Sequence, residues 1–331
     1  MTRPTTFRVD NQLIENAPRT FLAKRGPVDL QAVQLSLPGD FAPFGPFDYW
    51  ATLALYSLVD PKKPTAPIKT TYSELLNTLE FAKIVSNALE GYTTFASDQF
   101  NLIEESFHRL FTVEVNWRNQ WRVKTGKKGR PKQQWVEYHG RILASFQYTY
   151  APGVTPPSML KPSKRRNVNK AKTAAGESGP PIYRATEGPR PIGIEYTFAP
   201  DMVRGLSGDD PNIGATILPM KLFQLRKTFS NNHTATLLLV WVCRQTANPK
   251  TIDLSKLADR LNMNTKNPSR NRAALIEYFA LLKKSGVVED FTVSEETNHV
   301  TFTKGDDWHF GRDIDEDEPP ALPEATPAKG S

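Results

Sequence analysis

Residues 254–303 read LSKLADRLNMNTKNPSRNRAALIEYFALLKKSGVVEDFTVSEETNHVTFT, and this stretch decides the fold. It predicts a short helix over 254–261, capped by Asp253 or Thr251, and a long helix over 269–284. Apolar residues at helical spacing predict the inward face of the long helix, namely Leu275, Ile276, Phe279 and Leu282. Gly286 follows where a helix end favours a residue that tolerates positive φ.

After Gly286 the apolar period changes from about 3.6 to 2, which is typical of strands. Residues 287–293 and 299–303 alternate, and a turn at 295–298 joins them. A short helix, a long helix and then a hairpin are the order of a winged helix-turn-helix. The stretch therefore predicts one such unit.

A second copy of this pattern lies upstream. A helix is predicted over 47–59, and a short helix follows Thr71, whose cap Glu74 should complete as a capping box. A long helix over 97–111 then leads to a strand at 113–117 and to one or two return strands over 135–150. The leucines of the two short helices correspond, Leu75 and Leu79 with Leu257 and Leu261.

These patterns predict an α+β protein with two tandem winged helix-turn-helix domains. The segment between them is rich in Pro, Gly, Ser and Lys, which predicts a disordered linker. We divide the chain into an N-terminal extension (1–43), a first winged-helix domain (44–151), a disordered basic linker (152–193), a second winged-helix domain (194–304) and a disordered acidic tail (305–331).

Charge is distributed unevenly along the 331 residues. The net charge is +7, but the tail from Gly305 holds eight acidic and two basic residues and carries −6. The rest of the chain therefore carries +13, which favours a polyanionic partner.

The sequence lacks the common motifs of catalytic and metal sites, and we interpret the dense carboxylates at 313–318 as a solvated tail rather than a cation site. There is no P-loop motif, the five histidines form no close pair, and one cysteine excludes a four-cysteine zinc site. We therefore expect no catalysis, no metal and no cofactor.

The lone cysteine, Cys243, lies in an apolar run of about ten residues, too short for the roughly 20 of a membrane span. With no signal peptide after Met1 and no possible internal disulfide, we expect a cytoplasmic protein.

The start of the long helix in the second unit has side chains of the types that contact DNA. In a helix-turn-helix, the N-terminal residues of the second helix meet base edges in the major groove. Arg pairs with guanine, Asn with adenine, and Ser with phosphate oxygens. The predicted DNA-binding residues here are Lys266, Asn267, Ser269, Arg270, Asn271 and Arg272.

The first unit differs, because its long helix presents Asp98, Asn101, Glu104, Glu105 and His108, which suit a phosphate-lined groove poorly. Its hairpin is basic instead, and we predict DNA contacts from Arg118, Arg122, Lys124, Lys127, Lys128, Arg130 and Lys132. The run 128–132 resembles an AT-hook, whose Arg enters narrow A·T minor grooves. A plain solvated turn explains that run nearly as well. The tryptophans of the hairpin are interpreted as packing rather than as base-stacking platforms.

Together, the two copies resemble the iteron-binding plasmid replication initiators, whose core is two winged-helix domains in tandem. The resemblance is carried by YSELLNTL (72–79) before LIEESFHRL (102–110), and by LSKLADRL (254–261) before ALIEYFALLKKSGVV (274–288). It implies a protein that binds direct repeats at a plasmid origin and promotes melting of adjacent A·T-rich DNA. It also implies recruitment of the host replicative helicase and autorepression as a homodimer. The linker at 152–192 is longer than this resemblance leads us to expect.

Two alternatives from other classes remain. A winged-helix transcriptional regulator would bind an operator without opening DNA, and a winged-helix adaptor would bind proteins. Two recognition-type units on one chain favour direct repeats over a palindrome, whereas strong salt-dependent DNA affinity would eliminate the adaptor.

Overall fold

The computed structural model describes residues 4–21, 44–85, 93–123, 132–154, 190–207, 214–229, 232–263 and 266–308. The helices are α1 (Asn11–Phe21), α2 (Pro46–Tyr56), α3 (Tyr72–Thr78), α4 (Ser97–Thr112), α5 (Arg226–Phe229), α6 (His233–Arg244), α7 (Leu254–Arg260) and α8 (Pro268–Lys284). The strands are β1 (Thr6–Asp10), β2 (Ile68–Thr70), β3 (Ile84–Val85), β4 (Thr93–Thr94), β5 (Glu114–Val123), β6 (Lys132–Arg141), β7 (Leu143–Thr149), β8 (Gly193–Phe198), β9 (Ala215–Pro219), β10 (Lys250–Asp253), β11 (Val288–Ser294) and β12 (His299–Lys304).

One arrangement of helices and strands occurs twice. In the first unit, α2, β2, α3 and α4 precede β7 and β8, and the sheet order is β2-β8-β7. In the second unit, α6, β10, α7 and α8 precede β11 and β12, and the sheet order is β10-β12-β11. All of these strand pairs are antiparallel. The repeat read from the sequence therefore extends to strand order.

Local signals in the sequence produced the expected helix ends. The Asp253 carboxylate accepts a hydrogen bond from the Lys256 backbone N–H (2.9 Å), which caps α7, and Gly286 has φ +72° after α8. Thr71 caps α3 through the Glu74 N–H (3.1 Å). The Glu74 carboxylate instead accepts from the Thr70 hydroxyl (2.8 Å), so the predicted capping box is only half formed.

The structure corrects the position of the strand at 193–198. The sequence assigned 194–198 to the second domain, but β8 lies between β2 and β7, with Tyr196 opposite both Ile68 and Phe146. Residues 152–192 therefore connect two paired strands of one sheet and do not join two domains. A hairpin tolerates so long a connection because closure entropy grows only slowly with loop length. Residues 155–189, on which the prediction of a disordered linker falls, lie outside the described residues.

The basic hairpin of the first unit is also placed differently. β5 and β6 form a two-stranded sheet of their own, separate from β2-β8-β7. β6 ends at Arg141 and β7 begins at Leu143. Ile142 between them is fully buried, and its carbonyl oxygen accepts a hydrogen bond from the Ala199 N–H (3.0 Å). The sequence predicted one or two return strands over 135–150, and the structure has two, β6 and β7, which belong to different sheets. The predicted wing is therefore an added hairpin between α4 and β7.

Residues 4–21, which were predicted to belong to an N-terminal extension (1–43), are part of the core; residues 22–43 lie outside the described residues. β1 pairs with β9, and the Phe7 ring stacks on Phe223 at 5.4 Å, which in turn lies 6.3 Å from Trp50 of α2. Helix α1 contacts both α2 and α6, and its Glu15 pairs with Arg244 of α6 at 2.6 Å. Residues 4–21 thus join the two units through one continuous apolar core.

Residues 305–308, predicted as the start of a disordered acidic tail, are ordered in the structure. Gly305 donates its N–H to the Val287 carbonyl (3.0 Å), and Trp308 is buried beneath the ammonium group of Lys221, 4.5 Å from the ring centroid. These contacts hold residues 305–308 against the second unit. Residues 309–331 lie outside the described residues.

Candidate nucleic-acid interface

The start of α8 presents an exposed, positively charged surface. Lys266, Asn267, Ser269 and Arg270 are all exposed, and the first turn of the helix contains no acidic residue. Asn267 is the N-cap but makes no side-chain capping bond, so its side chain does not occupy the backbone N–H groups of the first turn. Free N–H groups and a positive helix dipole favour an anion at this end. Four of the six predicted residues of the second unit therefore lie together.

Asn271 lies apart from this exposed set. It is only 9% exposed, and it lines a cavity of about 250 Å³ together with Leu254 and Ala258 of α7. This burial corrects the expectation that its side chain reaches a base edge from the free protein. The sequence could not distinguish Asn271 from Arg270, because the position of α7 decides which residues of the first turn of α8 are buried.

Arg272 of α8 faces the turn of the β11–β12 hairpin. Its side chain is 33% exposed, and its Nη2 lies 3.8 Å from the Glu295 carboxylate in the β11–β12 turn. The turn is fixed beside α7, because the Asn298 amide donates to the Ser255 hydroxyl at 3.0 Å. Sequence periodicity placed Arg272 near the inward side of the helix. No local sequence pattern predicts its ion pair with Glu295.

The β11–β12 hairpin is acidic on its exposed positions. The acidic side chains are Glu289, Asp290, Glu295 and Glu296. Asp290 is paired with Lys283 of α8 at 2.7 Å, a hydrogen bond that lowers the pKa of this carboxyl group. Unlike the start of α8, this hairpin offers poor electrostatic complementarity to phosphates.

Helix α4, the counterpart of α8 in the first unit, is largely covered. Of its predicted outward residues only Asp98 is exposed, while Asn101, Glu104, Glu105 and His108 are half-buried. The His108 ring lies 5.1 Å from Phe146 of β7, and burial lowers its pKa to about 4. It is therefore neutral at pH 7. α4 contributes no exposed cation to a DNA surface.

The basic hairpin is described only in part. Arg118 and Arg122 lie on β5 and Lys132 on β6, where Lys132 pairs with Val123 at the last described rung. The predicted contacts Lys124, Lys127, Lys128 and Arg130 lie outside the described residues. At the base, the Trp117 indole is buried and donates to the Thr20 hydroxyl at 2.9 Å, which confirms that this tryptophan packs.

Other chemistry is not apparent in the described part of the chain. Among these residues, no three His, Cys, Asp or Glu side chains are grouped to hold a metal ion. The Cys243 thiol is buried, which raises its pKa to about 12 and leaves it unreactive at neutral pH. Across the same ranges, none of the helices has the length and hydrophobicity needed to cross a bilayer.

A buried charge network, which sequence reasoning missed, holds α4 in place. Asp48 of α2 is fully buried and accepts hydrogen bonds from the Ser106 hydroxyl (2.6 Å), the Arg109 Nε (2.8 Å) and the Gly45 N–H (2.5 Å). Burial opposes the charge of Arg109, but Asp48 and Glu105 outweigh it and raise the pKa of the guanidinium. Residues 61 positions apart carry no local sequence pattern that predicts such a contact.

Comparison with known proteins finds likeness among solved structures. No protein-family model matches the chain, and no curated protein sequence matches it. The structure of the Pi initiator protein in complex with iteron DNA has a TM-score of 0.49 at 11% identity, over 92% of this chain and all of the other. One similar structure is thus an initiator bound to DNA.

Two structures of domains 2 and 3 of RctB are also similar. The first has a TM-score of 0.47 at 12% identity, and it covers 88% of this chain and 97% of the other. The second has a TM-score of 0.41 at 12% identity, with 84% and 92% covered.

Proposed function

We propose that this chain is a sequence-specific duplex DNA-binding protein, without catalytic activity, whose two units are winged helix-turn-helix domains. The carrying observation is the start of α8, where Lys266, Asn267, Ser269 and Arg270 are exposed around an uncapped helix N-terminus. A short helix, α7, precedes it, as in a helix-turn-helix. The charge of +13 outside the acidic tail supplies the long-range attraction for phosphates.

We further propose that the protein is a plasmid replication initiator that binds origin direct repeats and promotes melting of the A·T-rich DNA beside them. Two units joined through a continuous core hold α8 and the base of the β5–β6 hairpin in a constant relation, which suits a site whose A·T-rich flank lies at a fixed distance. In this proposal the β5–β6 hairpin contacts the A·T-rich flank, through Arg130 in its connecting loop. Contacts with the host helicase and a homodimer belong to the same proposal.

Replacement of Arg270 by Ala tests the assignment of α8. We expect a loss of roughly 1–3 kcal/mol at the specific site, and far less on random duplex, because a base contact is lost. The specific site is first obtained by selection from random duplexes with the wild-type protein.

The matched control is Lys284→Ala, which removes the same charge from an exposed position at the other end of α8. It should leave the ratio of specific to random affinity unchanged. Equal losses on both DNAs for Arg270→Ala would mean that Arg270 only contacts the backbone, and no loss would place α8 away from the DNA.

Limited trypsin digestion tests the connection between β7 and β8. We propose that residues 155–189 are disordered, so Lys164, Arg165 and Arg166 should be cut first. Because β7 and β8 are paired in one sheet around the fully buried Tyr196, the two fragments should separate on a denaturing gel yet co-elute on native gel filtration. Fragments that separate without denaturant would contradict the strand pairing, and resistance to cleavage would contradict the disorder.

A further inference from the structure

The exposed face of α8 continues beyond the first turn of the helix. Arg270, Ala273, Glu277 and Ala280 lie along one side of α8 and are exposed, whereas Phe279, half a turn round the helix from Arg270, is fully buried. Glu277 follows Arg270 by almost two full turns, so the two side chains leave the helix within about 20° of each other. A duplex that extends along this face from Arg270 therefore also meets Glu277.

The Glu277 carboxylate has no cation beside it. A Glu on an exposed helix face is stabilised by a Lys or Arg three or four residues away, as Glu105 is by Arg109 in α4 at 3.3 Å. The residues at those distances from Glu277 are Ala273, Ala274, Ala280 and Leu281. Within the described ranges, no hydrogen bond or ion pair reaches this carboxylate. It stands on a face of mostly small side chains, which lets a partner approach the helix closely.

A carboxylate that faces DNA finds few favourable partners there. When ionised it only accepts hydrogen bonds, and phosphates repel it. In the major groove, guanine N7 and O6 and thymine O4 are acceptors as well. The donors are the amino groups of cytosine and adenine, and the adenine amino group lies beside the N7 acceptor of the same base. Cytosine is therefore the base that best satisfies an unpaired carboxylate.

We propose that Glu277 is a second base-reading residue of α8, which accepts a hydrogen bond from the N4 amino group of a cytosine. This inference rests on the proposed function. Arg270 and Glu277 are separated by about 10 Å along the helix axis, which corresponds to about three base steps of 3.4 Å. On a duplex without this cytosine, the carboxylate meets acceptors and phosphates and gains no donor. Its repulsion is offset only where the cytosine is present, so the residue discriminates between sequences.

Selection from a random duplex library with the full-length Glu277→Ala variant tests this proposal. The wild-type motif should contain a C·G pair about three base pairs from the position at which Arg270→Ala loses preference. Glu277→Ala should lose preference at that C·G pair alone. In titrations, replacing the pair in the selected site should weaken wild-type binding about tenfold and the binding of Glu277→Ala hardly at all. The affinity of the variant for random duplex should not fall, because the substitution removes a negative charge.

The matched control is Glu289→Ala, which removes the same charge from an exposed position on β11, away from the exposed face of α8. It should enrich the wild-type motif. Alanine is a strong helix former, so Glu277→Ala should keep α8 intact and keep the preference that depends on Arg270.

Two results would overturn the proposal. One is an unchanged motif from Glu277→Ala, and the other is loss of preference at a pair that is not C·G. A wild-type protein that enriches no motif would overturn the proposed function together with this inference. A wild-type motif that depends on Arg270 but not on Glu277 would overturn this inference alone.

Discussion

Duplex DNA affinity should fall about a thousandfold when salt is raised from 50 to 200 mM. If six or so phosphates are contacted, log K against log salt has a slope near −5, since each neutralised phosphate releases about 0.9 counterion. The basis is the charge of +13 outside the tail and the exposed cations at the start of α8. Equilibrium titration by fluorescence anisotropy at four or more salt concentrations measures this slope.

Two variants test whether the start of α8 contributes to this salt dependence. Lys266→Ala should make it shallower by about one, as expected for the loss of one phosphate contact. Lys284→Ala, at the far end of α8, should leave it unchanged. A wild-type slope shallower than about −2 would remove nucleic acid as the principal partner and favour the protein-binding adaptor.

The second large effect concerns stability and the buried carboxylate of Asp48. Asp48→Ala should lower the free energy of unfolding by about 3–5 kcal/mol, because it leaves the Arg109 guanidinium without its buried partner. The Arg109 side chain is only 15% exposed, and Asp48 is fully buried, so water cannot replace the lost contact. Urea denaturation followed by far-UV circular dichroism measures the change.

Two further variants show whether the cost comes from the unpaired charge. Glu105→Gln removes the outer partner of Arg109, which is 3.3 Å away and 24% exposed, and it should cost less than about 1 kcal/mol. Asp48→Leu combined with Arg109→Met should recover much of the loss, because both charges are then removed. An Asp48→Ala variant within about 1 kcal/mol of wild type would contradict this account of the network.

Local patterns predicted local structure well. The caps at Thr71 and Asp253, the positive φ at Gly286 and the inward residues Leu275 and Phe279 follow from spacing and backbone preference alone. Such features depend on neighbours within about four residues, so the sequence carries them directly.

Contacts between distant residues escaped sequence reasoning. β8 pairs with β7 across 43 intervening residues, and β1 pairs with β9 across most of the chain. Composition suggested domain boundaries near residues 43, 151 and 193. Between β7 and β8 it misled because a proline- and glycine-rich segment has the same composition whether it links two domains or connects two strands of one sheet. The burial of Asn271 and the pairing of Arg272 with Glu295 have the same origin, since both depend on how α7 and the β11–β12 turn pack against α8.

Selection from a random duplex library, carried out in parallel with the wild type and Arg270→Ala, tests the central claim most directly. If the start of α8 reads base edges, the wild type should enrich one motif, and the variant should lose preference at one position of that motif while the others persist. Lys284→Ala should enrich the wild-type motif. An identical motif from Arg270→Ala, or no motif from a wild-type protein that binds duplex DNA, would contradict sequence recognition by α8.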